Sequence, residues 1–495
     1  MLFNSFHYLI FFPIVCTIYW ALKKNSLRNP FLLLASYFFY MNWKPIFAFL
    51  LLAVTAVAYV TGLMLEKKRE ERLRKWILAI GLVLCFSSLV FFKYYNFLND
   101  SIFNLLAVVG LRWSLPSLDL LLPIGISFYT FQATGYCIDV YRRAVPSERN
   151  ALTFALYVAF FPVILAGPIQ RSKNLIPQLK AEHKFLSDDI IGGLKMMVWG
   201  FFMKLCVADR LGTYVDSVFN NLTMHNGVSI AIASVFYTIQ IYGDFAGYSL
   251  VALGSAKALG FNLPDNFRRP YFSTTFKEFW KRWHIALSSW FGDYLYIPLG
   301  GNRVKYSRYL LNLMIVFLVS GLWHGAAWTF VLWGGLHGVY QVIEALIKKR
   351  FGLKEYIGWG KALKILFVFL LVNFAWIFFR ASSIENAFLA VSKIFTEFGA
   401  PFISPMAMIF GLVSTILLLI KDYADEFHPN WKLLNSSNIA VSVVTTAVLI
   451  VFIFLFGVWI AVNSFISNFN DEGYEKGIRE DGYDTCRNFF LCCSY

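Results

Sequence analysis

Long apolar runs separated by short basic intervals dominate this chain. Residues 5–22, 46–65, 76–92, 229–241, 328–347, 365–379 and 439–460 each form a near-continuous hydrophobic block. A helix needs about 20 such residues to cross the hydrocarbon layer of a bilayer. The blocks therefore predict membrane-spanning helices, and with the shorter apolar stretches the count comes to roughly 10 to 12 crossings. The period-2 alternation of half-buried strands is missing from them, and so is the single apolar stripe of a soluble helix. The expected architecture is an all-α polytopic membrane protein.

The interval from Asp244 to His337 departs from this pattern. There ionisable residues sit inside or against apolar blocks instead of between them: Asp244, Lys257, Asp265, Arg268, Arg269, Lys281, Arg282, His284, Asp293, Arg303, His324 and His337. Residues 272–299 mix Trp, Phe and Tyr with Lys, Arg and Asp, too polar a set to cross in contact with lipid. That segment is expected to lie in the interface or to dip into the protein as a re-entrant helix. No hydrophilic stretch is long enough for a second domain, so residues 1–469 are expected to form one membrane domain. Residues 470–495 are expected to be a disordered or aberrant polar tail.

Composition agrees, with 58% hydrophobic, 19% aromatic and 15% charged residues over 495 positions. Charge adds orientation. The net charge of +15 comes from Lys and Arg in intervals such as Lys67, Lys68, Arg69, Arg72, Arg74 and Lys75. Short loops of this kind stay in the cytoplasm, which places the intervals at 142–143, 171–184 and 348–354 there as well. Such a spread fits topology and argues against nucleic-acid binding. Only Met1 to Asn4 precede the first block, with no basic n-region or small-residue cleavage site, so that block is expected to remain as a helix. Cys16, Cys85, Cys137 and Cys206 stand alone in apolar stretches, as packing thiols do. Without CxxC, HExxH or a glycine-rich phosphate loop, neither a metal site nor ATP hydrolysis is expected.

Three histidines carry the candidate chemistry. His324 lies in Ser320-Gly321-Leu322-Trp323-His324-Gly325-Ala326-Ala327-Trp328, between two apolar runs. Gly321 and Gly325 let a helix break there or let backbones approach. An ionisable residue at membrane depth points to function, the alternative being a histidine hydrogen-bonded between packed helices. His284 falls in Phe279-Trp280-Lys281-Arg282-Trp283-His284, and continuous helical spacing would put Trp280, His284, Leu287 and Phe291 on one face. An interfacial helix and a site role are both open for it. His337, 13 residues beyond His324, would face another side of a continuous helix and is expected to serve packing. Asp244 on an apolar helix needs a partner, in a structural salt bridge, a helix cap or a catalytic role. Arg282 and Arg303 offer guanidinium groups to phosphate or act as cytosolic anchors. His7, His183, His225 and His428 are isolated.

Several ordered motifs then identify a family. Gln240-Ile241-Tyr242-Gly243-Asp244-Phe245-Ala246-Gly247-Tyr248-Ser249, Leu259-Gly260-Phe261, Asn266-Phe267, Pro270-Tyr271-Phe272, Phe279-Trp280-Lys281-Arg282-Trp283-His284 and Asp293-Tyr294-Leu295-Tyr296-Ile297-Pro298-Leu299-Gly300-Gly301-Asn302-Arg303 resemble the membrane-bound O-acyltransferases. Leu122-Pro123-Ile124-Gly125, Ile138-Asp139-Val140-Tyr141-Arg142, Ala166-Gly167-Pro168-Ile169-Gln170-Arg171 and Gly321-Leu322-Trp323-His324-Gly325 extend the resemblance, specifically to the alginate O-acetyltransferase branch. The resemblance implies a ring of tilted helices around a funnel, with a thin protein layer at its base holding the reactive histidine. His324 matches the family's catalytic histidine and His284 the second histidine of this branch. The implied activity transfers acetyl groups from a cytosolic thioester, acetyl-CoA, across a bacterial inner membrane toward a cell-surface or exported polysaccharide. His324 would act as base and His284 would orient the acceptor or share the proton, with Asp244, Arg282, Arg303 and Trp323 in support. No bound cofactor is implied, and a separate extracytoplasmic acetyltransferase is the implied partner. Many relatives carry Arg where this chain has Gly292, many carry an acidic residue where it has Leu250, and relatives commonly end on an aromatic stretch that would fall at Phe465 and Ile466. D-alanyl transfer to teichoic acids is the alternative within the family. A channel or transporter relaying protons through its histidines is the alternative outside it.

Overall fold

The computed structural model describes residues 1–458 except 112–114, 353–356, 429–430, 432–433, 435 and 437. Phe465, Ile466 and the 470–495 tail lie outside the described residues. Among the described residues the chain is built of helices and connecting turns, with no strand. The first eight helices are α1 (Phe6–Ala21), α2 (Asn25–Met41), α3 (Phe47–Lys67), α4 (Glu71–Leu89), α5 (Tyr95–Val108), α6 (Ile126–Tyr141), α7 (Ala151–Ala159) and α8 (Phe161–Ile164). The next six are α9 (Ser172–Lys180), α10 (Ser187–Phe201), α11 (Asp209–Phe219), α12 (Gly227–Ala258), α13 (Phe276–Arg282) and α14 (Ile285–Phe291). The last six are α15 (Tyr306–His324), α16 (Trp328–Phe351), α17 (Trp359–Arg380), α18 (Ile384–Thr396), α19 (Pro405–Phe427) and α20 (Ile439–Phe456).

Apolar composition makes helices of these blocks because a backbone shielded from water must satisfy its N–H and C=O groups within its own segment. Among the described residues, nine helical stretches are long and apolar enough to cross a membrane, two of them joined helices: α4 with α5 over 38 residues and α10 with α11 over 33. Phe6–Ala21 and Ala151–Ile164 are shorter apolar helices, and the expected count of roughly 10 to 12 had included such blocks. Both joined helices contain a π-helical turn at the junction, Val90–Tyr94 in the first and Phe202–Ala208 in the second. A third π turn, Gly292–Tyr296, follows α14.

Helix α12 forms the centre. Of its most apolar stretch 72% of residues are buried, against 11% for α20, whose side chains face outward. Small residues allow the close packing around it: a Cβ added at Gly200 of α10 would strike the carbonyl of Gly247 in α12, and one at Gly247 would strike the carbonyl of Gly200. Without a hydrophobic drive between helices in lipid, such backbone approach supplies much of the association.

Asp244 finds its partner inside this core. The Lys204 ammonium, on the π turn between α10 and α11, lies 2.6 Å from Asp244 and 2.8 Å from Asp209. Of the roles open to Asp244, the structure places it in a buried ion pair, where loss of one member leaves an uncompensated charge.

Candidate functional site

The apolar run leading to His324 ends where the glycines allow. Helix α15 stops at His324, Gly325 and Ala327 are extended, and α16 starts at Trp328. The two helices then return against each other at Gly321 and Gly334, where a Cβ on either would collide with a main-chain carbonyl of the other helix. His337 is thus on a second helix, not on a continuation of the first, which corrects the continuous-helix expectation. It is fully buried and its Nδ1 accepts a hydrogen bond from the Trp280 indole at 3.3 Å, a packing arrangement.

A helix ending inside a protein exposes the carbonyls of its last turn, and these need donors. For α15 they come from the π turn Val90–Tyr94. The Lys93 ammonium donates to the carbonyls of Trp323 at 2.5 Å and His324 at 3.0 Å, and the Tyr94 hydroxyl donates to Leu322 at 2.8 Å. A cation at this position also meets the negative end of the helix dipole.

His284 is held differently. The expected continuous helix is absent: α13 ends at Arg282, and His284 takes a left-handed conformation, φ +43° and ψ +55°, before α14 begins. That conformation is costly for a residue with a Cβ and persists only where surroundings impose it. Asn266 imposes it here. The Ile285 N–H donates to its carbonyl at 2.9 Å, and the Ala286 N–H donates to its side-chain oxygen at 3.3 Å. The His284 ring is fully buried, not interfacial, with Nδ1 3.0 Å from that same oxygen. Within residues 272–299, Phe276, Phe279, Trp280, Trp283, His284, Leu287, Trp290 and Phe291 are buried, whereas Lys277, Lys281, Ser289, Asp293, Ile297 and Pro298 stay exposed.

The tautomer follows from directions of donation. A peptide N–H only donates, so the Asn266 atom that Ala286 meets is the oxygen, and His284 Nδ1 beside it carries the proton. The Asn266 amide NH2 then points to Ser249, donating to its hydroxyl oxygen at 3.1 Å, and Ser249 in turn donates to the Ala166 carbonyl at 3.0 Å. Neutral His284 therefore has its lone pair on Nε2. This chain of bonds joins three stretches of sequence, at Ala166, Ser249 and Asn266, to the one at His284.

An aromatic cage brings the two histidines together. The Trp323 ring lies 4.9 Å from the His324 ring and 6.3 Å from the His284 ring, centroid to centroid. Phe245 meets His284 at 4.7 Å, while Trp333 and Phe379 meet His324 at 4.9 Å and 5.7 Å. The indole N–H groups of Trp323 and Trp333 are buried and meet no acceptor among the described residues. Such donors cost about 1–3 kcal/mol each when left unpaired, and they are suited to an oxygen that becomes negative.

The arginines are elsewhere. Arg282 is held by Glu278 at 2.7 Å and Glu426 at 2.9 Å, and Arg269 also meets Glu426, at 2.8 Å. Burial pushes the Glu278 carboxyl up, but bonds from the Thr274 N–H and hydroxyl, with Arg282 beside it, outweigh this and hold it below its ordinary value. Arg303 lies exposed in the turn after the third π segment. The structure thus gathers His284, His324 and Trp323, and sets Asp244, Arg282 and Arg303 apart in ion pairs or at the surface. Asn266, Lys93 and Trp333 are the neighbours no local signal singles out, although Asn266 stands within a quoted motif. Among the described residues no three His, Cys, Asp or Glu side chains come together as a metal site.

A buried histidine pair in a helical membrane protein, one of them at the end of a broken helix, is a candidate intramembrane catalytic centre. The pattern of the membrane-bound O-acyltransferase family matches residues 141–385. Across 399 residues the chain is 38% identical to "Probable alginate O-acetylase AlgI" of Azotobacter vinelandii, covering 80% of this chain and 78% of that one. It is also 34% identical over 426 residues to a peptidoglycan O-acetyltransferase of Helicobacter pylori, covering 78% of each. A teichoic acid D-alanyltransferase of Bacillus subtilis is 29% identical over 279 residues, 53% of this chain and 70% of that one. The chain belongs to the membrane-bound O-acyltransferase family, in its alginate O-acetylase-like branch. It is a multi-pass membrane acyltransferase, and the channel or transporter reading is dropped.

Proposed function

We propose that this enzyme takes acetyl groups from acetyl-CoA on the cytosolic side of a bacterial inner membrane and passes them across for O-acetylation of a cell-surface or exported polysaccharide. The observation that carries the reading is the enclosure of His284 and His324 around Trp323, in a chain over a third identical to an alginate O-acetylase along most of its length. His324 acts as general base: its neutral ring takes the proton of the incoming hydroxyl as that oxygen attacks the thioester carbonyl. The tetrahedral oxyanion takes hydrogen bonds from the Trp323 and Trp333 indoles. Its collapse expels the CoA thiolate, which receives the proton from His324, leaving an acetyl ester and free CoA. The His284 Nε2 lone pair orients the acceptor hydroxyl.

Sidedness follows from charge. Lys348, Lys349 and Arg350 at the end of α16, with Arg303 and Lys305 ahead of α15 and Arg308 in its first turn, mark the cytosolic side, so the α15 end bearing His324 lies away from it. Arg282 and Arg303 serve as cytosolic anchors in this scheme. A separate extracytoplasmic acetyltransferase then completes delivery to the polymer. D-alanyl transfer is the lesser reading, since acetyl-transferring relatives match more of the chain. Purified protein in liposomes, given acetyl-CoA or a D-alanyl carrier protein, separates the two. CoA release that persists unchanged in His324→Ala sinks the assignment of the base.

A further inference from the structure

The bonds from Lys93 to the end of α15 have a catalytic meaning, and it rests on His324 being the base. We propose that Lys93 is a positioning residue, which fixes the His324 backbone through the Trp323 and His324 carbonyls and thereby sets where the imidazole meets the acceptor.

Four observations support it. The ammonium spans two consecutive carbonyls, that of Trp323, whose ring lies between the histidines, at 2.5 Å and that of His324, which carries the imidazole, at 3.0 Å. Its nitrogen also stands 5.6 Å from the centre of the Trp323 ring, within range of a cation–π attraction, so the indole is steered by the same group. The chain beyond His324 gives no helical continuation, because Gly325 and Ala327 are extended, so this end of α15 is held from outside. Lys93 also lines a cavity of about 430 Å³ together with Asn96, Asp100, Ala327 and Ser383, on the face of the His324 loop turned away from the basic helix ends. An acceptor approaching through that cavity meets an already fixed loop.

The π turn explains how a lysine comes to be here. It widens the helix by one residue and lets Lys93 and Tyr94, adjacent in sequence, both reach the end of α15. Met at position 93 keeps most of the side-chain length and removes the donors and the charge. Arg keeps both.

The experiment uses the full-length protein in liposomes with acetyl-CoA as donor, reading release of free CoA, with thermal melting in detergent alongside. Lys93→Met is expected to lose about 10-fold to 100-fold in kcat with KM for acetyl-CoA within about twofold, as a displaced base does. Lys93→Arg is expected to recover most of that loss, and Tyr94→Phe, which frees the carbonyl one residue earlier, to lose less than Lys93→Met. Full turnover in Lys93→Met overturns the proposal, and so does an equal loss in the Met and Arg variants at unchanged melting temperature. Should Lys93→Met fail to fold, Lys93→Leu, which likewise removes the donors and the charge, replaces it under the same criteria. An active His324→Ala or an inactive wild type instead takes down the base assignment, and this inference with it.

Discussion

The two histidines are buried within one cage yet held by opposite means. His284 is fixed at its ring, by a side-chain oxygen that selects the tautomer, and its backbone is bent into the left-handed region to reach that oxygen. His324 is fixed at its backbone, by a cation and a hydroxyl on the carbonyls of a terminating helix and by glycine-to-glycine contact with the next one. The difference suits the proposed division of labour. A group that orients a substrate needs a defined lone pair, whereas a base that gains and loses a proton is better anchored through atoms that do not titrate.

That contrast can be broken in several places. The largest effect is expected from His324→Ala, about 100-fold or more in CoA release, with a smaller loss for His284→Ala; the reverse order would exchange their roles. Next comes Gly334→Val, which drives a side chain into the carbonyl of Phe317 and should cost about 1–3 kcal/mol in thermal melting together with activity. An unchanged melting curve would mean that α15 and α16 can separate without penalty. Asn266→Ala is expected to reduce kcat about tenfold and stability by about 1–3 kcal/mol, because Ala286 and Ser249 lose their partner. In a His284→Ala background the same substitution should cost stability but no further turnover, and an additive loss of turnover would show that Asn266 acts elsewhere. The smallest effect belongs to Gly292→Ala: an added Cβ there meets nothing within 4 Å, so melting should stay within about 0.5 kcal/mol.

The blocks that became helices were legible because their apolar length is a property of single segments. So was the break after His324, since Gly325 stands between two runs that are each apolar in their own right. The geometry at His284 was not. Periodicity over residues 280–291 is that of one helix, and what interrupts it is Asn266, 18 positions before His284, whose main chain and side chain both bond into the turn. Long-range partners were equally silent: Asp244 with Lys204, and Arg282 with Glu426, are pairs that only folding brings within 3 Å. Lys93 follows directly on the 76–92 block and carries no local signal, because in a segment apolar on nearly all sides a shifted helical phase does not show.

The π turns have a consequence for how such helices change over time. Each adds one residue to a turn, so removing that residue would restore an ordinary helix with its hydrogen bonding intact while rotating everything beyond it by about 100°. A single-codon deletion near Val90–Tyr94 could thus leave a well-formed membrane helix whose two halves are out of phase, with either Lys93 or the lipid-facing surface of α5 turned the wrong way. The extra residue works as a phase adjuster, letting one helix satisfy the bilayer along its outer face and the active centre at one point on its inner face.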